Sequence, residues 1–445
     1  LYTFEADTDG HGRNTAIGYK AGYGLSSGIG NTVMGNEALD AASGTGDYNT
    51  ALGYQALSAN TSGADNTAIG KSALALNTTT SNNTSVGKGS LYANTADNNT
   101  GVGYHALHAN TDGTTNTAVG AGAATTTTTG NENVAIGYNA LYSNITGDKN
   151  IAIGRSSLGN NTVDGNTAVG YRAFSDATSG TGLTAVGHNA GREQTTGDDN
   201  TALGNTALYW NHIGDRNTAL GAEAGYSFNP SEGVGDCTFV GYRAGYNSYQ
   251  GAGHNTHIGS KAAHTGSNAE YNTSVGSHAF YSNALGDYNV AVGYKALFSF
   301  NADTDAHGWN TAVGAQAGEG LTTGTYNVAV GTYALDATSG TGDNNTAIGR
   351  NTLSTNTSGT SNTALGHAAL AGNITGHHNI AIGDGALYTN GDGDNSVAIG
   401  NFALYTQDPA SNVDMHNVAV GYDAGYSTTT GIRNIYIGNY AGRQA

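Results

Sequence analysis

One apolar position recurs along this chain in a fixed neighbourhood. An aliphatic residue followed by glycine closes a pentad, Asn-Thr-Ala-Ile/Val/Leu-Gly, that begins at Asn14, Asn31 and Asn49 and returns as far as Asn434. It occurs 25 times, mostly at spacings of 16, 17 or 18 residues. Clean copies run Asn14–Gly18, Asn49–Gly53, Asn133–Gly137 and Asn310–Gly314. The fifth position is glycine in all 25, the fourth is aliphatic in all 25, and the first is Asn in 22. Inside the pentad, Thr and the aliphatic residue fall on one side and Ala and Gly on the other, the two-residue alternation of a β-strand. A 3.6-residue apolar period is absent, and Gly, Thr and Asn in every unit disfavour helix.

The full unit from Asn49 reads NTALGYQALSANTSGAD. After the pentad strand, a second short strand is expected through Ala56-Leu57, and the NTSG segment returns the chain with residues suited to turns. Each repeat is then one turn of an all-β, parallel β-solenoid of about 25 turns with a 17-residue repeat. At a strand spacing of about 4.8 Å such a stack would extend about 120 Å. The Asn column predicts a ladder of stacked amides, each bonded to the next turn. Which strand face lines the interior, Thr–Ile or Ala–Gly, the alternation leaves open.

The repeat predicts a single continuous solenoid over 1–445. The longer spacings of 20 or 21 residues after Asn217, Asn289 and Ser396 predict inserted loops near 222–236, 294–309 and 401–416. A block duplication is also visible, with 4–99 resembling 300–395 at an offset of 296 residues.

Composition narrows the function. The chain carries 70 glycines, 2 prolines, 15 Lys+Arg and 33 Asp+Glu, for a formal charge of −18. A phosphate backbone would be repelled, which excludes nucleic acid as a partner. Large apolar residues are too few for a broad core, yet each turn can contribute a thin share. Disorder, the rival for such a composition, does not keep an aliphatic column in register through 25 copies. No apolar run approaches a membrane span. The chain opens at Leu1 without an initiator Met or a signal peptide, so it reads as a mature chain or a piece of a longer one.

Candidate chemistry is sparse. The DTD sequences Asp7/Asp9 and Asp303/Asp305 set two carboxylates on one side of a loop, a partial oxygen set for calcium or an ordinary Asx-turn. The Gly-Asp-x-Asn corners at Asp47, Asp148, Asp215, Asp287 and Asp343 read as turn formers. His254, His257 and His264 suggest a transition-metal set, but the pentad Asn255–Gly259 puts the first two on opposite faces. His377-His378 fall in a corner and are expected to face solvent. Cys237, the only cysteine, replaces the column Asn and reads as local repacking. Eight tyrosines follow the invariant glycine directly: Tyr19, Tyr54, Tyr104, Tyr138, Tyr171, Tyr242, Tyr294 and Tyr422. They either cover the apolar edge or form a binding surface. Asn60, Asn77, Asn144 and Asn373 lie in glycosylation sequons.

At its pentads, most closely NVAIG at Asn133–Gly137 and NSVAIG at Asn395–Gly400, the chain resembles the head repeats of YadA-like trimeric autotransporter adhesins and related bacteriophage tail-fibre repeats. The resemblance covers almost the whole chain. It implies a left-handed β-roll, three chains packed through small-residue faces, and a place at a cell surface or on a virion fibre. The expected function is a non-enzymatic structural and adhesive extracellular fibre. Its expected partners are further copies of itself, as trimer or filament, and surface glycans or matrix; its only expected cofactor is the calcium weighed above. The family's neck, stalk and membrane anchor have no counterpart in this sequence, and its head repeats are somewhat shorter. One alternative is an ice-binding solenoid using the Thr column, which Val134, Ile151, Val290 and Val328 interrupt. A remoter one is a tail-spike-like polysaccharide-processing enzyme, though no concentration of carboxylates supports it.

Overall fold

The structure, a computed structural model, describes residues 12–230, 235–248, 253–266, 268–302 and 308–444. It divides into two compact units, Leu1–Arg216 and Asn217–Ala445. Each is a parallel β-solenoid, and among the described residues there is no helix. The first unit holds twelve three-residue strands, from Thr15–Ile17 to Thr201–Leu203. The second holds thirteen, from Thr218–Leu220 to Ile435–Ile437, with two extra two-residue strands, Gly393–Asp394 and Val413–Asp414, paired to each other. Pairing is in register, so like sits on like: Thr50 on Thr67, Ala51 on Ala68, Leu52 on Ile69. The isolated bridges Leu25–Gly44 and Leu321–Gly340 sit at positions equivalent under the duplication.

The open question of the faces has a definite answer. The central Ala of the pentad points inward and is fully buried in Ala51, Ala68, Ala118 and their equivalents, while Thr and the aliphatic residue flank it on the outside. The small-residue face that the resemblance assigns to chain packing is therefore interior to each unit. Small residues are needed there because the opposite wall already carries a buried Ala-Leu pair, such as Ala56-Leu57 or Ala106-Leu107.

That wall corrects a second expectation. Ala56-Leu57 is not a strand: Gln55 has φ +52° and Leu57 φ +56°, left-handed values that interrupt extended backbone. The turns still bond each other there, Gln55 N–H to the Asn36 carbonyl behind and Leu57 N–H to the Ala73 carbonyl ahead, at 3.0 and 2.9 Å. Each repeat is thus one short strand and a long string of turns.

The invariant glycine has two causes that act together. Gly53 sits at φ +138°, and a Cβ there would lie 2.5 Å from the Gly70 carbonyl oxygen of the next turn. The same close approach repeats from Gly18 to Gly35, Gly137 to Gly154 and Gly314 to Gly331. The column Asn is equally constrained. Asn49 Oδ1 accepts from the Asn66 backbone N–H at 3.0 Å, and its Nδ2 donates to the Gly63 carbonyl at 2.8 Å. The ladder is therefore mainly side chain to backbone. Asn14, Asn133 and Asn310 do the same with Asn31, Asn150 and Asn327. A second interior column joins it, since Asn60 Nδ2 donates to the same Gly63 carbonyl at 2.9 Å.

Volume is matched between adjacent turns. Where Phe174 replaces the buried leucine, the equivalent residue of the next turn is Gly191, whose added Cβ would fall 2.0 Å from the ring. Where an aromatic replaces the strand Ala the exchange runs across the interior of one turn, Phe239 onto Gly245 and Tyr436 onto Gly442, with Gly425 of the turn before also against Tyr436.

Gly53→Ala is expected to destabilise its neighbourhood by about 3 kcal/mol or more, combining a strained φ with a backbone clash. Thr50→Val, at an outward position where valine already occurs, should change stability by less than about 0.5 kcal/mol. Amide exchange at Thr50–Leu52 and Thr67–Ile69 reads both.

Candidate functional site

Three outward surfaces follow from the inward columns. The first is the strand face. None of the twelve aliphatic residues closing the strands of the first unit is buried; Val119 and Ile136 are each 37% exposed and Ile17 is 55% exposed. Beside them runs the Thr column, continuous from Thr15 to Thr117 before Val134 and Ile151. In the second unit this column turns aliphatic at Ile380 and stays so through Ile435. A parallel sheet bare on one side is unusual, because such sheets are normally covered on both faces.

The second surface is the ridge after the glycine. Seven of the eight predicted tyrosines there are met by a cation. Lys20 lies over Tyr19 at 5.6 Å, Lys71 over Tyr54 at 5.6 Å and Lys88 over Tyr104 at 5.4 Å. Arg155 reaches Tyr138 and Tyr171, Arg243 reaches Tyr242 at 5.1 Å, and Lys295 reaches Tyr294 at 5.7 Å. Tyr422 instead meets Phe402 and Tyr440 edge-on. The sequence signal was present in the Tyr-Lys and Tyr-Arg pairs, where a cation follows or lies one turn away.

Sequence reasoning missed the aromatic ladders of the second unit. Tyr226, Tyr246, His264, Tyr281 and Phe298 stack face to face at 5.0–5.2 Å. A separate stack joins His254, Tyr271, Tyr288, Trp309 and Tyr326. The clue was an aromatic at one register in successive repeats, just before the column Asn for the second stack. No protein-family model matches the chain, and no curated protein is significantly similar to it.

The third surface is the acidic corner. All five predicted corner aspartates accept a backbone N–H from the preceding turn: Asp47 from Ile29, Asp148 from Asn131, Asp215 from Asp198, Asp287 from Glu270 and Asp343 from Thr325, at 2.7–2.9 Å. They join turns as well as shaping them. His377 plays the same part, its Nδ1 accepting from the Thr360 N–H at 3.0 Å; it is half-buried, while His378 is exposed. Asp7, Asp9, Asp303 and Asp305, the calcium candidates, lie outside the described residues. Among the described residues, no group of three or more His, Cys, Asp or Glu is placed to hold a metal, and no helix is long and apolar enough to cross a membrane.

The three histidines separate as their alternation requires. His254 stacks on Tyr271 outside, with Asp236 at 3.7 Å, and His264 belongs to the other ladder. His257 is buried in the Ala column with Nδ1 2.9 Å from Ser274 Oγ. Burial holds its pKa down to about 4. Cys237 is also interior, its thiol pushed up to about 12 by burial. Its sulfur takes the place of the missing Asn oxygen, accepting the Asn255 N–H at 3.4 Å. The sequon residues Asn60, Asn77, Asn144 and Asn373 are buried and hydrogen-bonded inside the units, which shields them from glycosylation in the folded chain.

His257 makes stability pH-dependent in one direction. An unfolded histidine takes its proton near pH 6.5, whereas this ring resists until about 4. Its contribution is complete above pH 6.5 and falls as pH drops toward 4, by roughly 3 kcal/mol. His257→Ala should flatten that acid limb, read as the difference in urea midpoint between variant and parent at pH 7 and pH 4.5. Asp336, whose carboxyl burial raises to about 6 with Glu319 adding, acts oppositely and is common to both proteins.

Proposed function

We propose that this chain is a non-enzymatic structural subunit of an adhesive extracellular fibre, built by association of copies through the strand face. The observation that carries the reading is the outward face of a parallel sheet: aliphatic and Thr columns repeat turn after turn, and in the first unit none of their described residues is buried. Covering such a face removes apolar surface from water without disturbing a single inward column. In-register strands also make the face flat and repetitive, so two or three copies can meet over many turns. The resemblance of the pentads to adhesin heads and tail-fibre repeats supports the same reading. It supports a cell surface or a virion as the site of the fibre, and surface glycans or matrix as its ligands. The inward turn to Ala makes the strand face, rather than a small-residue face, the natural contact between chains.

In sedimentation, Val119→Asp combined with Ile136→Asp should weaken self-association at least tenfold while leaving amide protection of the strands intact. That follows from the cost of burying a carboxylate in a contact without a partner. A wild-type chain that stays monomeric at all concentrations would overturn the reading.

The outward Thr column supports a second reading, ice binding, because Thr15 to Thr117 form an unbroken row on a regular face. In that case the monomer should arrest ice growth, and replacing Thr84, Thr100 and Thr117 by Glu should abolish the effect in a thermal-hysteresis measurement.

A further inference from the structure

The register that carries the Tyr226–Phe298 stack in the second unit holds small side chains at several turns of the first. From Leu91 to Leu208 the residue after the buried leucine position is Tyr92, His108, Tyr142 and Tyr209 in four turns, but Thr125, Gly159, Ser175 and Arg192 in the turns between. Tyr142 therefore stands between two open notches. One has about 260 Å³, a floor of Gly122 and Thr125, and a far wall formed by Tyr104 stacked on His105 at 3.9 Å. The other has about 250 Å³, a floor of Ser156, Gly159 and Ser175, and polar walls that include Arg172 and Asp176. Tyr142 and Asn139 line both.

Ring faces distinguish this place from the ladders. Inside the ladders both faces of a ring are taken, as for Tyr405 between Tyr388 and Tyr426 at 5.0 and 5.1 Å. Tyr142 is 42% exposed and stacks on no other ring among the described residues. A π-face with negative potential attracts the polarised C–H groups of a saturated ring. Around it the notches offer amides at Asn139 and Asn160, a carboxylate at Asp176 and guanidiniums at Arg172 and Arg192, the latter paired with Glu193 at 3.4 Å. That mixture of donors and acceptors suits hydroxyl groups, which are both. Each notch is smaller than the roughly 300–1,000 Å³ of sites for drug-sized ligands. Their floors at Thr125 and Gly159 lie two turns apart, about 10 Å. The chain's charge of −18 repels polyanions at a distance.

We propose that these paired notches bind a neutral linear oligosaccharide, a sugar ring in each and the chain crossing the face of Tyr142. This rests on the adhesive reading and gives it a ligand class and a site. Gly159 is the specificity position, since tyrosine there would stack against Tyr142 one turn away and close the notch. The fold accepts tyrosine at this register in Tyr142 and Tyr209, and Gly159 has no positive φ.

The test titrates the full chain with cellotetraose, chitotetraose and mannotetraose, followed by saturation-transfer NMR. At least one should bind, with an affinity unchanged in about 0.5 M salt, where charge attraction is screened. Gly159→Tyr and Tyr142→Ala should each weaken that binding at least tenfold, with self-association of both variants unchanged in sedimentation. Binding by none of the three sugars, or parental binding by Gly159→Tyr, would overturn the site. Loss of self-association in the wild-type chain with sugar binding intact would overturn the fibre reading alone.

Discussion

Hydrogen bonding between consecutive turns is the interaction on which the rest of this molecule depends. A chain with 70 glycines has few large apolar groups with which to offset the entropy of ordering. What it has instead is a partner for its backbone groups in the turn before or after. Strand groups pair in register, left-handed turn residues bond forward and back, and Asn, Asp and one His fill the remaining places with side-chain atoms. Buried backbone groups left unpaired would be costly, and these columns remove that cost at every repeat.

This arrangement separates what must be kept from what can vary. Gly, Asn, Ala and the buried leucine position are held by backbone approach, hydrogen bonding and volume. The outward registers carry no such load, and there the two units differ: the Thr row from Thr15 to Thr117 contrasts with aliphatic residues from Ile380 on, and the short tyrosine–histidine stacks of the first unit with the longer aromatic stacks of the second. Chemistry on the surface is therefore written by column, and a ligand or a second chain meets a pattern repeated along the unit rather than a single constellation.

The solenoid and its period were legible because glycine and the aliphatic residue never leave their registers. The reason for the glycine was only partly legible: the turn chemistry could be anticipated, but the approach of Gly70 to Gly53 exists only between turns. The false strand at Ala56-Leu57 arose because two apolar residues look alike in either conformation; leucine at φ +56° has no signature in sequence. The direction of the faces was undecidable from alternation, which gives the two sides without saying which is closed. Tyr142 was passed over because the tyrosines after the glycine drew attention to another register, and a notch is defined by the small residues of its neighbours.

The exchange of bulk between Phe174 and Gly191 has a consequence for how such a chain can change its length. A joint between two leucine-bearing turns is neutral to insertion, since each side meets the same neighbour afterwards. A break between Phe174 and Gly191 would press a phenyl ring against a leucine and leave a void one turn away. Recombination can therefore add or remove repeats freely at some joints and not at others. The duplicated blocks of this protein are expected to carry such pairs whole, as heritable words rather than single letters.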